Sequence, residues 1–282
     1  MKKMMIMMAA VLLTACEKAV LDEKQGNVTL TFSVTQSDMV TRGTVAIGDY
    51  FQKLNIQLFD ADGSKVFDKV RTQLATDDDF GTISCQLEPG TYTIVAVGHS
   101  SIKSATIKSP HMVQFTASDG EKLTDTFCSC GQIYVGDTPE QHNLVMNRVT
   151  AMVQFRLTDT SVPESFSKMV ITYTGGSANF NPSSFDGTTK SNQSEYRTRS
   201  SVYQVYTFPY MANSGTLKMT LTAYASDGSP IRTRTFDSVP VTRNRITTYT
   251  GQFFDGTEGT FTQTAFGFSV NGDWEGENNF TF

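Results

Sequence analysis

The chain has 282 residues, a net charge of −5 and a composition rich in Thr, Ser, Gly and Phe. A pI near 5.2 argues against a nucleic-acid partner, because phosphate recognition calls for a basic face. The length exceeds that of one small domain and suits two.

At the N-terminus, Lys2 and Lys3 precede an apolar run from Met4 to Leu13, followed by Leu13-Thr14-Ala15-Cys16. These are the three regions of a secretory signal. The run is too short for a membrane-spanning helix, which needs about 20 residues, so residues 1–15 read as a signal peptide. Small residues at Thr14 and Ala15 directly before a cysteine resemble the lipobox of bacterial lipoproteins. That resemblance implies cleavage before Cys16 and a mature protein held on a membrane by acyl chains such as palmitate. Each buried methylene contributes about 0.8 kcal/mol, so two or three chains anchor stably. Residues 16–27 are charged and polar and read as a flexible stalk.

From Val28 onward apolar and polar residues alternate, with β-branched and aromatic types prominent, as half-buried strands require. The first-half strands are expected at Val28–Thr35, Leu54–Phe59, Lys65–Val70, Thr82–Leu87, Thr91–Val97 and Met112–Thr116. Those of the second half are expected at Val149–Leu157, Lys168–Tyr173, Val202–Phe208, Leu217–Tyr224, Ile231–Phe236, Arg245–Phe253, Ala265–Val270 and Asn278–Phe282. Helical turns are expected only at short stretches such as Gly48–Gln52 and Val162–Ser167.

Asp62-Gly63-Ser64 and Asp227-Gly228-Ser229 each follow a strand, and Asp-Gly supplies the positive φ of a tight hairpin. A similar correspondence links Pro89-Gly90-Thr91-Tyr92 with Ser214-Gly215-Thr216, so the two halves repeat a theme. Short strands at this spacing predict β-sandwiches. The junction is expected near Asn143 to Arg148, giving an N-terminal sandwich over 28–146 and a C-terminal one over 147–282. The run from Leu144 to Leu157 is long enough to pass almost continuously from one to the other.

Chemistry-bearing constellations are sparse. Gly98-His99-Ser100-Ser101 lacks the frame of a nucleophile elbow. Asp60, Asp62 and Ser64 open like a calcium loop but lack its terminal glutamate, and a hairpin turn explains them. Asp77-Asp78-Asp79 reads as a solvated loop tip. No CxxC accompanies the scattered His99, His111 and His142, so no zinc site, and no other metal or cofactor, is expected. Cys85, Cys128 and Cys130 admit either a bridge from Cys85 or three free thiols. The aromatic content also admits a glycan-binding face, although phenylalanine more often fills a sandwich core.

Two features exceed the needs of a plain globular module. Met39-Val40-Thr41-Arg42-Gly43-Thr44 follows the first strand. At the C-terminus Phe266, Phe268 and Val270 alternate before a turn at Asn271-Gly272, and Phe280 and Phe282 alternate after it.

Four features together resemble the Bacteroidales fimbrial subunits that build type V pili, and most the FimB-type minor or anchor subunits. They are the lipobox, the Leu87-Glu88-Pro89-Gly90-Thr91-Tyr92 turn, Arg148-Val149-Thr150-Ala151-Met152-Val153, and Val241-Thr242-Arg243-Asn244-Arg245 feeding a strand that ends Thr250-Gly251-Gln252-Phe253. The resemblance implies an all-β chain of two tandem transthyretin-like Greek-key sandwiches, export to the outer membrane, and non-enzymatic assembly with other fimbrial subunits by β-strand addition. It implies adhesion to a host or bacterial surface ligand as well. In stalk subunits of that family an arginine-specific protease removes the first strand, and Arg42 and Gly43 lie where such a cut would fall. Anchor subunits keep lipid and first strand. Phe266, Phe268, Val270, Phe280 and Phe282 are the expected donor-strand residues. The expected function is therefore a fimbrial anchor or minor subunit. The alternatives are a polymerising stalk or tip subunit cut after Arg42, and a surface glycan-binding lipoprotein.

Overall fold

The structure is a computed structural model that describes residues 28–36, 46–115, 123–210, 214–255 and 276–281. Its fold is all-β, as the period-two pattern predicts. Thr82–Leu87 shows the cause at its plainest, because Ile83, Cys85 and Leu87 point inward while the residues between them face solvent. Among the described residues the only helical element is a 3-10 turn at Ile47–Asp49. The stretch Val162–Ser167 forms no helical turn and leads directly into a strand at Phe166.

The strands of the first half are β1 (Val28–Gln36), β2 (Lys53–Phe59), β3 (Arg71–Leu74), β4 (Thr82–Leu87), β5 (Gly90–His99), β6 (Thr106–Ser109), β7 (Met112–Gln114), β8 (Thr126–Val135) and β9 (Glu140–Arg148). Those of the second are β10 (Ala151–Leu157), β11 (Phe166–Gly176), β12 (Asn179–Phe180), β13 (Ser191–Thr198), β14 (Val202–Thr207), β15 (Ser214–Ala225), β16 (Pro230–Thr242), β17 (Arg245–Gly251) and β18 (Gly276–Thr281).

The pairing repeats strand for strand. In the first half β1 lies between β9, parallel, and β4, antiparallel. Strand β2 lies between β3 and β5, and β5 pairs with β8. In the second half β10 lies between β17, parallel, and β14, antiparallel. There β11 lies between β13 and β15, and β15 pairs with β16. The turn glycines Gly63, after β2, and Gly228, between β15 and β16, take φ of 78° and 87°, a conformation that a side chain disfavours. Strand β18 extends the second half's sheet beyond β17.

Each half encloses an apolar core. Leu30, Phe32, Leu54, Ile56, Ile94 and Phe127 are among the residues of one; Val153, Phe155, Ile171, Met219, Leu221 and Tyr249 belong to the other. A third cluster joins the halves, with Phe59, Val95 and Cys128 packed against Val149, Phe180 and Phe208. There β12 pairs with β7 and β7 with β6, so a small sheet crosses between the halves. Beside it, Arg148 lies over the Phe127 ring at 4.6 Å and donates to Asp125 at 2.8 Å and to Asn244 Oδ1 at 3.1 Å. Burial pushes the Asp125 carboxyl up, and the hydrogen bond and charge of Arg148 draw it back.

Several sequence expectations shift. Lys65–Val70 is not a strand beyond a single bridge at Lys65; the partner of β2 is Arg71–Leu74. The run from Leu144 to Leu157 is two strands, separated by Val149 and Thr150. Strands β6, β8, β12 and β13, and the first half of β9, lie outside the expected segments. No disulfide joins Cys85, Cys128 or Cys130, so the alternative of a Cys85 bridge falls away.

Candidate functional site

The features that distinguish this chain from a plain sandwich are its first and last described strands. Strand β1 sends Val28, Leu30, Phe32 and Val34 into the first core, none more than 7% exposed. Its outward residues are polar and join its neighbours: Thr31 meets Ser84 Oγ at 3.3 Å, Thr35 donates to Asn143 Oδ1 at 3.2 Å, and Gln141 donates to Ser33 Oγ at 3.1 Å. A nine-residue segment is thus paired on both backbone edges and apolar on one face, the properties of an inserted strand. At roughly 1.5–3 kcal/mol per buried side chain its four apolar residues contribute about 6–12 kcal/mol before entropy losses.

Among the described residues strand β18 is paired on one side only, in parallel register with β17 from Arg245↔Gly276 to Thr250↔Thr281. Phe280 stacks on Tyr249 with centroids 4.6 Å apart and planes 18° apart, and packs against the second core. Burial raises the Tyr249 phenol to about 12. Of the expected donor residues Phe280 therefore sits within its own chain's sheet. Cys16, Arg42, Gly43, Phe266, Phe268, Val270 and Phe282 lie outside the described residues.

The end of the sheet just before the C-terminal segment is fixed by two carboxylates. Asp159 accepts the backbone N–H groups of Phe253, Phe254 and Asp255, at 2.8, 2.5 and 2.9 Å. Asp255 in turn accepts from the backbone of Thr160 and Ser161 at 3.2 Å.

The polar clusters elsewhere hold structure. His99 is fully buried; its Nε2 lies 2.8 Å from Asn55 Oδ1 and its Nδ1 accepts from the Ser101 N–H at 3.0 Å, so both ring nitrogens are engaged. An open groove of about 520 Å³ is lined by Asp60, Asp62, His111, Cys130 and Ser183. Ser183 Oγ lies 3.7 Å from the Cys130 sulfur and 3.4 Å from His111 Nδ1. Burial raises that thiol and the Ser183 hydrogen bond draws it back down, whereas a nucleophilic thiol needs a net depression. Asp60 caps its own hairpin, accepting from the N–H groups of Asp62 at 3.0 Å and Ser64 at 2.8 Å. Among the described residues no group of three or more His, Cys, Asp or Glu side chains is placed to hold a metal ion. The well-exposed tyrosines, Tyr134 at 69% and Tyr196 at 49%, stand on different sheets, on β8 and β13. No helix among the described residues is long and apolar enough to cross a membrane.

Comparison with solved structures finds low-identity likenesses. A candidate polysaccharide-binding protein of Bacteroides thetaiotaomicron aligns at 10% identity over 73% of this chain and 79% of that one, with a TM-score of 0.48. The fimbrial anchor protein Mfa2 of Porphyromonas gingivalis aligns at 16% over 74% and 81%, with 0.43. A fimbrial assembly protein of Parabacteroides distasonis aligns at 13% over 82% and 92%, also with 0.43. No curated protein matches the chain. A family model does match, across residues 20–281, and by that match, which covers nearly the whole sequence, the chain belongs to a family of unknown function, DUF6562.

Proposed function

We propose that this protein is a surface lipoprotein of fimbrial type, an anchor or minor subunit. Lipid on Cys16 holds it at the outer membrane, it joins other subunits through β-strand pairing, and its work is mechanical and adhesive, without catalysis. The observation that carries the reading is the seating of β1. A chain that keeps Val28–Gln36 has the slot between β4 and β9 already filled by its own four apolar side chains. Such a subunit terminates a fibre at that end, leaving its C-terminal edge for contact with the next. The lipobox, directly upstream of a short polar stalk, supports the same role by tying that filled end to a membrane.

The competing fimbrial role, a stalk or tip subunit cut between Arg42 and Gly43, requires β1 to leave its slot. Mass-spectrometric N-terminal analysis of the protein from whole cells and from sheared fibres separates the two. An acylated Cys16 in both fractions is expected. A free Gly43 in the fibres would replace the anchor with a polymerising subunit, and absence of the protein from fibres of cells that express it would sink the fimbrial reading altogether.

A further inference from the structure

Of Cys85, Cys128 and Cys130, only the last opens on solvent. Cys85 and Cys128 are buried in the first core and in the cluster between the halves. Cys130, on β8, is half-buried and lines the open groove of about 520 Å³. Two residues from other parts of the chain face it. His111 lies on the exposed two-residue turn between β6 and β7, its backbone N–H donating to Ser109 Oγ at 3.2 Å. Ser183 follows β12 in the second half; its N–H donates to Asn181 Oδ1 at 2.9 Å and its hydroxyl to Pro110 O at 3.3 Å. The Ser183 oxygen is thereby left between Cys130 Sγ at 3.7 Å and His111 Nδ1 at 3.4 Å. A sulfur donor and an imidazole nitrogen thus flank one small hydroxyl, in a groove also lined by Asp60 and Asp62.

We propose that Cys130 and His111 form a binding site for a soft monovalent cation with a filled d shell, of the copper(I) class. Thiolate and imidazole are donors that such an ion favours. It accepts two ligands in a line, so this pair suffices where zinc or calcium would need more. Bond lengths of roughly 2.3 Å to sulfur and 2.1 Å to nitrogen set the donors about 4.4 Å apart, a separation reached by rotation of the exposed His111 ring while Ser183 keeps its bond to Pro110. Binding exchanges a proton for the metal. The S–H bond of Cys130 breaks, one bond from sulfur and one from nitrogen to the metal form, the proton passes to solvent, and no electron is transferred. The raised thiol is no obstacle, because a metal deprotonates the thiol that coordinates it. The charges of Asp60 and Asp62 draw a cation to the groove. The bound ion would tie β8 to the small sheet in which β7 pairs with β12 of the second half. The site is independent of strand assembly and of lipid on Cys16.

Silver(I), which keeps its oxidation state in air, is the probe, added to the full reduced chain with free Ag⁺ set by excess thiourea. Iodoacetamide labelling, read at Cys130 by peptide mapping, reports occupancy of this thiol whatever the others do. Silver should protect Cys130, and His111→Ala should raise the free Ag⁺ needed for half-protection by at least about tenfold, the lower bound for loss of even an indirect partner of a metal ligand. In the unsubstituted chain, long-range proton–nitrogen NMR should show the Nδ1 signal of His111 shifting as silver is added while those of His99 and His142 stay in place. No protection of Cys130 overturns the site. Equal half-protection in H111A, or an unshifted His111 ring, also overturns it, because the thiol then binds as any accessible cysteine does.

Discussion

His99 shows how far burial can set a side chain's chemistry. Burial, and after it the charge of Lys53, hold its pKa down from 6.5 to about 3. Between those values the unfolded chain binds a proton that the folded chain refuses, so folding stability falls as pH falls through this window and is unaffected by this group above it. The steepest slope a single histidine gives is about 1.4 kcal/mol per pH unit. Urea unfolding at pH 7, 5 and 3.5 should show midpoints declining with acid. His99→Asn should lose part of that decline, because the amide keeps a hydrogen-bonding partner for Asn55 and does not titrate. Equal slopes in the two proteins would contradict the assignment.

At the scale of single elements, β1 and β18 differ in how firmly they are held. Strand β1 has a partner on each side and four apolar residues in the core, whereas among the described residues β18 pairs with β17 and holds it through the Phe280 ring stacked on Tyr249. Edge strands open locally well below the global unfolding free energy. Phe280→Ala should cost about 1–2 kcal/mol, less than full truncation of a buried phenylalanine because the ring is only half-buried. Its signature is local: amide hydrogen exchange should speed up in Arg245–Gly251 and stay unchanged in Val28–Gln36. Faster exchange in both strands would mean that β18 supports the whole fold and is not a separable edge.

The whole molecule is bound together by the cluster between its halves. Phe208 lies against Phe180 at 4.6 Å and Phe115 at 5.8 Å between ring centroids, and at the end of β9 Arg148 donates to Asn244 Oδ1 of the second half at 3.1 Å. Truncating a buried aromatic costs about 3–5 kcal/mol, here on residues that both halves share. Phe208→Ala should therefore lower stability by that amount and split a single calorimetric transition into two, since cooperativity between the halves runs through their shared surface. One transition merely displaced to lower temperature would show that the halves are coupled by something other than this cluster.

Much of this architecture is written in local sequence, and the limits of that writing have physical causes. Period-two apolar patterning located β1, β2, β4, β5 and most of the second-half strands, because burial of one face is a property of the strand alone. Asp-Gly located the turns at Gly63 and Gly228 for the same local reason. Strand β13 escaped because its inward residues include Gln193 and Glu195, 7% and 1% exposed, with Glu195 meeting Arg197 at 2.6 Å; such a strand carries no apolar alternation to read. The first half of β9, with Glu140 and His142 on its inner face, escaped similarly. The Leu13-Thr14-Ala15-Cys16 run, which resembles a lipobox, and the alternation through Phe280 are visible in the residues themselves. That β1 and β10 pair in parallel with β9 and β17 was decided only by the tertiary structure, because register between distant strands depends on matching their buried faces across space.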